Sequence, residues 1–150
     1  MNYTVREIEE AILAALAPVS TTGGGAARMV ASYEGQFENA ATGNAQMIVL
    51  YPAVLIAFLG STFDPSCAPT FERSMRFAVY CASANTGSEL ARRRGACALL
   101  DATRALLNHN SLGLDISPLI VESESVVTSS RSISVYVGEY ALVTRETSAF

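Results

Sequence analysis

A short apolar run near the middle of the chain limits the possible folds more than any other segment does. Residues 53–59 (AVLIAFL) contain no polar side chain, and Pro52 and Gly60 bound them. A run of this length between residues that interrupt regular structure is typical of a strand that is covered on both faces. We therefore expect a central strand here, with a sheet around it.

Four other segments show the alternation of apolar and polar residues that is typical of strands. The second of them is expected to form a hairpin with the central strand, and the last two to form a terminal hairpin around a polar turn at residues 129–131. Gly138 interrupts the last segment, which predicts a β-bulge there. The four segments are residues 28–34, 74–82, 119–127 and 132–143.

The start of the chain carries the signature of a helix. Thr4 and Glu7 have the spacing of a capping box, in which each side chain bonds the backbone amide of the other residue. Apolar residues then recur at helical spacing until Pro18 interrupts the pattern. The sequence predicts a helix over residues 5–16.

A second and longer helix is predicted over residues 89–107, with its N-cap near Ser88 and an apolar stripe along one face. Residues 38–50 contain a pattern that suggests a further short helix. Together with the strands, these helices predict a single α+β domain over residues 1–150. In this fold two main helices pack with a small, mostly antiparallel β-sheet of about four to five strands.

Two segments between these elements are expected to be loops. Residues 18–27 contain three consecutive glycines, which maximise backbone freedom, so we expect a flexible loop that packs against nothing. A phosphate-binding loop would need a following Lys with Ser or Thr, which is missing here. Residues 60–72 contain one glycine and two prolines and are expected to connect two strands.

Composition and charge disfavour several functions. Half of the residues are hydrophobic and only 16% are charged, so the chain can bury a core and hide part of its surface in an oligomer. The net charge of -4 argues against a general nucleic-acid binder, which needs a basic face. The longest apolar stretch, residues 47–59, is shorter than the roughly 20 residues of a spanning helix and contains Pro52. The acidic N-terminal segment is unlike a signal peptide, so we expect neither membrane insertion nor export.

Cysteine and histidine usage predicts neither a metal site nor a bound cofactor. The three cysteines, Cys67, Cys81 and Cys97, are odd in number and too far apart for a CxxC motif, so we expect free thiols in a reducing cytosol. His109 is the single histidine, and it lies among asparagines that end the second predicted helix. We expect it to interact with the dipole of that helix.

No catalytic residues are expected either. Glu122 and Glu124 share one face of a predicted strand, as a pair of catalytic carboxylates would. The serines that alternate with them are more typical of a solvated sheet edge. No nucleophile motif accompanies them. We therefore expect a protein that is not an enzyme.

The most concentrated charge in the chain is an arginine triplet, residues 92–94, in the first turns of the second predicted helix. Three consecutive side chains spread over about 200° of a helix circumference, so they predict no single basic patch and are expected to lie on a solvated face. Alternatively, the triplet pairs with acidic residues of the first helix across a subunit boundary. The candidate interface residues are Arg92, Arg93, Arg94, Glu7, Glu9 and Glu10.

With these elements placed, the chain resembles Mu-like bacteriophage tail proteins of the tail-terminator type. The segments that carry the resemblance cover most of the chain, and each is a core pattern rather than a catalytic signature. They are the opening MNYTVREIEEAILAAL, ASYEGQF at 31–37, PAVLIAFLGS at 52–61, RRRGACALLDATRALLNHNSLGLDISPL at 92–119, and the closing SISVYVGEYAL.

The resemblance implies a structural role in the virion, after synthesis in the bacterial cytoplasm. Tail terminators form a hexameric ring that caps the head-proximal end of the tail tube and sheath of a contractile tail, stops tail polymerisation and provides the head-joining surface. The implied partners are further copies of the chain, tail tube and sheath proteins, and head–tail connector proteins. No specific nucleic acid and no membrane is implied.

By analogy, residues 20–27 and 60–70 are candidate loops for contacting the tube or a neighbouring subunit. Two other functions stay open at this point. One is a head–tail connector, neck adaptor or other tail completion protein, and the other is a monomeric binding module. The candidate tube-contacting residues are Gly23, Gly24, Gly25, Asp64 and Arg73.

Overall fold

Five strands and two α-helices form the part of the chain that the computed structural model describes, residues 2–33, 49–65, 69–84, 87–129 and 132–147. This is the α+β fold that the sequence predicts. The elements, in chain order, are α1 (Val5–Ala15), β1 (Met29–Ser32), β2 (Ala53–Asp64), β3 (Thr70–Ala84), α2 (Glu89–Leu107), β4 (Ile120–Ser129) and β5 (Ile133–Thr147).

The strands form one sheet in the order β1-β2-β3-β5-β4. The β2–β3 and β4–β5 pairs are antiparallel hairpins, as predicted, and β3 also pairs antiparallel with β5. The short edge strand β1 runs parallel to β2. Residues 53–56 of β2 are buried, so the first part of the apolar run is covered on both faces as predicted, whereas Phe58 and Leu59 are 37% and 43% exposed.

Both helices pack against the same face of the sheet, where they enclose one continuous hydrophobic core. Helix α1 contributes Ile8 and Ile12, and α2 contributes Leu99 and Leu107. The strands contribute side chains at alternate positions, because successive residues of a strand point to opposite faces. These strand residues are Val54, Ile56, Met75, Phe77, Val79, Cys81, Tyr140 and Leu142.

Side-chain caps begin both helices. Glu7 N donates to Thr4 Oγ1 over 3.1 Å, and Thr4 N donates to Glu7 Oε2 over 2.7 Å, so the predicted capping box is confirmed. In α2, Ala91 N donates to Ser88 Oγ over 3.1 Å, as the sequence also predicts. These bonds satisfy amides that have no partner within the first turn of a helix.

The prediction of a connecting loop over residues 60–72 is wrong, because β2 continues to Asp64 and β3 begins at Thr70. The pairing register shifts between Phe58 and Gly60, and Gly60 has a φ of 148°. Gly60 therefore accommodates a bulge within a long strand and does not end it. We call the outer part of this hairpin, residues 60–64 and 70–73, the hairpin arm.

The predicted flexible loop over residues 18–27 is instead a compact turn. Two short 3-10 helices, Ala17–Val19 and Thr21–Gly23, form it, and Ser20 and Ala27 are bridged across it. A Cβ atom at Gly23 would lie 2.2 Å from the Ala17 carbonyl oxygen, and one at Gly25 would lie 2.2 Å from that of Val19. These glycines allow close approach of backbone to backbone, which is the other use of this residue.

Gly138 marks no bulge, although its interruption of β5 predicts one. It pairs regularly with Val79 and Glu124, and the irregularities of this hairpin lie in β4, at residues 121–123 and 126–128. A Cβ atom at Gly138 would lie 3.1 Å from the ring of Tyr140 and 3.6 Å from Leu100. Packing beneath α2, rather than backbone conformation, accounts for this glycine.

Some sequence predictions lie outside the described residues. They are most of the possible short helix over residues 38–50, Cys67, and residues 130–131 of the terminal turn. Within the part of the chain that is described, neither helix combines the length and apolar character that crossing a bilayer requires.

Candidate interaction surfaces

The three acidic side chains of α1 that were candidates for a subunit interface each have a partner in their own chain. Glu7 completes the capping box, and Glu9 accepts a hydrogen bond from the hydroxyl of Ser32. Glu10 forms an exposed pair with Arg6, with 3.0 Å between its Oε1 and the arginine Nε. Such exposed pairs within a helix are weak, so Glu10 can exchange its partner at little cost.

The arginine triplet points in three directions, as the helical geometry predicts. Arg92 is buried with 5% exposure, so the prediction of a solvated face is wrong for this residue, which lies on the inner side of α2. Arg93 is exposed, and its Nη2 lies 2.9 Å from Glu89 Oε1 while its Nε donates to Ser129 Oγ. Arg94 is exposed as well. Ion pairing across a subunit boundary therefore stays a prediction only for those candidate interface residues that are exposed.

The glycine turn presents an exposed tip next to its tightly packed flanks. Gly24 has a φ of 88°, and a Cβ atom there would meet nothing within 4 Å. Gly23 is exposed and Gly25 is half-buried. A contact of this turn with the tail tube stays a prediction, now for a turn of defined shape.

The two charged candidates in the hairpin arm differ in accessibility. Asp64 is exposed and lies opposite Glu72 in the β2–β3 pairing. The side chain of Arg73 is only 16% exposed and is held within the fold. Its Nε donates to Ser61 Oγ over 3.0 Å, and its Nη1 lies 3.4 Å from both the Tyr3 carbonyl oxygen and Glu146 Oε1. Arg73 therefore has a structural role that the sequence did not predict.

The arm also carries an exposed aromatic side chain, which the sequence pattern did not predict. Phe63 is 58% exposed, the largest exposed fraction among the large hydrophobic residues that the structure describes. Its ring lies 5.8 Å from that of Phe71, and the Arg73 guanidinium lies 5.5 Å from its centroid. An apolar ring in the polar stretch after Gly60 is the signal that could have identified it.

An apolar groove of about 250 Å³ lies between α2, the glycine turn and the start of β2. Small residues of α2 at helical spacing, Gly95, Ala98 and Ala102, form one wall. The opposite wall is made of Pro18, Ala26 and Pro52 together with Val19 and Gly25. The repeat of small residues on one helix face was the sequence signal for this groove.

Glu122 and Glu124 do not share a face, although their spacing in a regular strand predicts it. Glu122 accepts a hydrogen bond of 2.9 Å from Arg76 Nε on the face away from the helices. Glu124 pairs with Arg104 of α2 on the helix-covered face. The irregularity of β4 at residues 121–123 adds a residue, which turns the two side chains apart. They therefore cannot act as a carboxylate pair.

The remaining reactive side chains lie apart from one another. Cys81 is buried, and burial raises its pKa to about 12, while Cys97 is half-buried. His109 is exposed, and its backbone N donates to the Leu119 carbonyl oxygen over 2.6 Å, in a conformation with a φ of 65°. The described residues contain no group of three or more His, Cys, Asp or Glu side chains placed to hold a metal ion.

The chain matches the model of a known protein family. The model of the family described as "Bacteriophage Mu, Gp37" matches residues 4–143, a span that runs from the N-cap of α1 into β5. No curated protein matches the chain.

Proposed function

Since this chain belongs to the bacteriophage Mu Gp37 family and is therefore a phage structural protein, we propose that it is the tail terminator. In this role it forms a hexameric ring on the head-proximal end of the tail tube and sheath, stops tail polymerisation and provides the surface to which the head is joined. The observation that carries the proposal is the extent of the family match, which includes both helices and four complete strands.

The surface of the subunit supports a role in assembly. Val126 and Val127 of the edge strand β4 are 56% and 52% exposed. Exposed apolar side chains that lie together favour protein–protein contact. A closed ring requires two different surfaces on each subunit that fit each other. The hairpin arm, formed by β2 and β3, and the edge strand β4 lie toward opposite edges of the sheet, so the subunit has distinct surfaces.

The expected partners follow from this role. They are neighbouring copies of the chain in the ring, the tail tube and sheath below it, and head–tail connector proteins above it. The exposed tip of the glycine turn, Gly24, is the candidate contact to the tube, and the exposed Asp64 of the hairpin arm is a candidate contact to the neighbouring subunit. In the assembled virion the protein lies at the neck end of the tail.

The direct test is the mass of the protein in solution by light scattering, alone and with purified tail-tube protein. A mass near six times the 15.9 kDa of one subunit supports the proposal, as does a ring that forms only on tubes. A protein that stays monomeric at micromolar concentration and ignores tubes overturns it, and indicates a monomeric binding module instead.

A second measurement distinguishes a terminator from a connector. Electron microscopy of particles made without this protein should show tails of uncontrolled length if it terminates polymerisation. Tails of normal length that fail to join heads would contradict the terminator role and assign the protein to the neck.

The tube contact of the glycine turn has its own test. Gly24→Asn adds a side chain at the exposed tip, and Asn tolerates the left-handed backbone conformation of this residue better than other side chains do. The variant should fold and bind tubes more weakly than the unaltered protein. Binding of unchanged strength would remove Gly24 from the tube-contacting surface.

A further inference from the structure

The hairpin arm presents Phe63 with more than half of its surface exposed. The ring is 58% exposed, although Phe71 lies beside it and Arg73 lies over it. These neighbours hold the ring in place, so that a partner would meet a preorganised aromatic side chain. Aromatic side chains of this kind are enriched among the residues that dominate binding energy at protein interfaces.

The apolar groove beside α2 has the size and lining for such a ring. A dry cavity of about 150 Å³ accepts benzene in another protein, and the groove has about 250 Å³. Its floor is Leu99, and its α2 wall carries the small side chains Gly95, Ala98 and Ala102. These small residues leave open the space that a phenyl side chain would fill.

The two features lie at opposite ends of the same strand. Pro52, which lines the groove, directly precedes β2, and Phe63 is the penultimate residue of β2. At a rise of about 3.3 Å per residue, eleven residues span on the order of 35 Å. Phe63 therefore cannot reach the groove of its own subunit. A phenyl side chain and a groove at separate places on one molecule form a head-to-tail contact between two subunits. Such contacts close into a ring of subunits or extend as a filament.

Charges beside the two features are complementary. Next to the groove lie two exposed arginines, Arg94, which precedes Gly95, and Arg28, whose backbone N donates to the Pro52 carbonyl oxygen over 2.7 Å. Next to Phe63 lie the exposed Asp64 and, across the hairpin, Glu72. Glu72 pairs with Arg145 over 3.6 Å, but both side chains are about half exposed or more, so this pair is weak.

From these observations we infer that Phe63 of one subunit inserts into the apolar groove of the next subunit, between α2 and the glycine turn. The occupant of the groove is thus a second copy of this chain. The inference rests on the proposed ring-forming function and adds the contact by which neighbouring subunits are joined. Asp64 and Glu72 of the arm then meet Arg94 and Arg28 of the neighbour at the rim of the groove.

The test compares two variants with a control substitution at a residue that is about as exposed as Phe63. Phe63→Ala removes the inserted ring, and Ala98→Leu fills the groove. Leu90→Ala removes an apolar side chain that is 56% exposed at another place. We expect the concentration for half-maximal ring formation to rise at least tenfold for the first two variants and to change less than twofold for Leu90→Ala. Thermal unfolding that is unchanged in all three, measured below the concentration at which rings form, would show that each subunit folds.

Mixing the two variants tests the head-to-tail direction of the contact. An Ala98→Leu subunit keeps its arm and a Phe63→Ala subunit keeps its groove, so one contact can form between them but a ring cannot close. We expect dimers in the mixture and monomers in each variant alone, measured by light scattering, or on tubes if the unaltered ring needs them.

The outcomes separate this inference from the proposed function. Rings of unaltered protein together with equally stable rings of Phe63→Ala and Ala98→Leu would overturn the arm-to-groove contact and leave the terminator role in place. A mixture that forms no dimers would overturn it as well. Unaltered protein that forms no ring, alone or on tubes, would overturn the proposed function itself.

Discussion

Arg73 of β3 and Glu146 of β5 form an ion pair beneath the start of α1, with 3.4 Å between Nη1 and Oε1. Their side chains are 16% and 8% exposed. Arg73 also donates to the Tyr3 carbonyl oxygen and to Ser61, and Thr144 Oγ1 donates to Glu146. The pair therefore connects the N-terminal segment, the hairpin arm and the last strand, which are distant in sequence.

Replacing Glu146 should destabilise the fold by far more than replacing an exposed acid. Glu146→Gln keeps the shape of the side chain but leaves the Arg73 charge without its carboxylate in a largely buried place. We expect the free energy of unfolding to fall by about 1–3 kcal/mol, measured by chemical denaturation. Glu10→Gln, which breaks the exposed pair with Arg6, is the control and should change it by less than about 0.5 kcal/mol. Equal effects of the two variants would contradict the structural role of Arg73.

The capping box of α1 predicts a second effect on stability. Thr4→Ala removes the acceptor for the Glu7 amide, and we expect a loss of about 1 kcal/mol in the free energy of unfolding. Thr4→Ser retains the hydroxyl and should stay close to the unaltered protein. The two variants are compared by denaturation followed by circular dichroism. A Thr4→Ser variant as unstable as Thr4→Ala would show that the methyl group, not the cap, matters at this position.

Gly138 should not tolerate a side chain. In Gly138→Ala the added Cβ atom would lie 3.1 Å from the Tyr140 ring, which is buried below α2 and cannot move freely. Overpacking of this kind costs about 1–3 kcal/mol. Ser125→Ala, at an exposed position of the neighbouring strand β4, is the control and should be nearly neutral. A Gly138→Ala variant of unchanged stability would show that the core relaxes around this position.

The described thiols should differ in reactivity. Burial raises the pKa of Cys81 to about 12, so it stays protonated and unreactive at pH 8, whereas the half-buried Cys97 should be labelled by a thiol reagent. A Cys67→Ser background confines the measurement to these two residues. Labelling of Cys81 at the rate of Cys97 under native conditions would contradict the burial of Cys81.

Burial of the Cys81 thiol also makes the free energy of unfolding depend on pH in the alkaline range. The folded state favours the neutral Cys81 thiol. The contribution of this thiol to the free energy of unfolding is therefore fully present below the ordinary thiol pKa of about 8.5. It is lost as pH rises from there towards about 12. Burial also raises the pKa of Tyr140, which adds a loss that begins near pH 10. We expect Cys81→Ala to reduce the decline in unfolding free energy between pH 8.5 and 10, and Tyr140→Phe to affect only the decline above pH 10.

Local patterns predicted the elements whose signals lie within a few neighbouring residues. Both helices begin where Thr4 and Ser88 place their caps, and α2 ends at Leu107 as predicted. Residues 53–56 of the predicted apolar run are buried on both faces. Such signals depend on hydrogen bonds and periodicities inside one segment, so a single segment is enough to reveal them.

Predictions failed where the meaning of a residue depends on a distant part of the chain. The sequence around Gly60 predicts the end of a strand, but β2 pairs with β3 on both sides of Gly60 and continues through it with a bulge. Its three consecutive glycines predict that the glycine turn is flexible, but the backbone of Ala17 and Val19 packs against it. A glycine allows either conformational freedom of the backbone or the close approach of another backbone segment. Its neighbours in space determine which of these applies.

The α+β class, the two helices and the two hairpins could be predicted from the sequence alone, because apolar periodicity and capping are local and each segment contains its own pattern. The three-dimensional structure was needed to show that Arg92 and Arg73 are held within the fold, that Glu122 and Glu124 point apart, and that Phe63 and the apolar groove lie at opposite ends of β2. These relationships arise from strand register, bulges and the packing of α2 on the sheet. Each is set by contacts between residues far apart in the chain, so no single segment contains it.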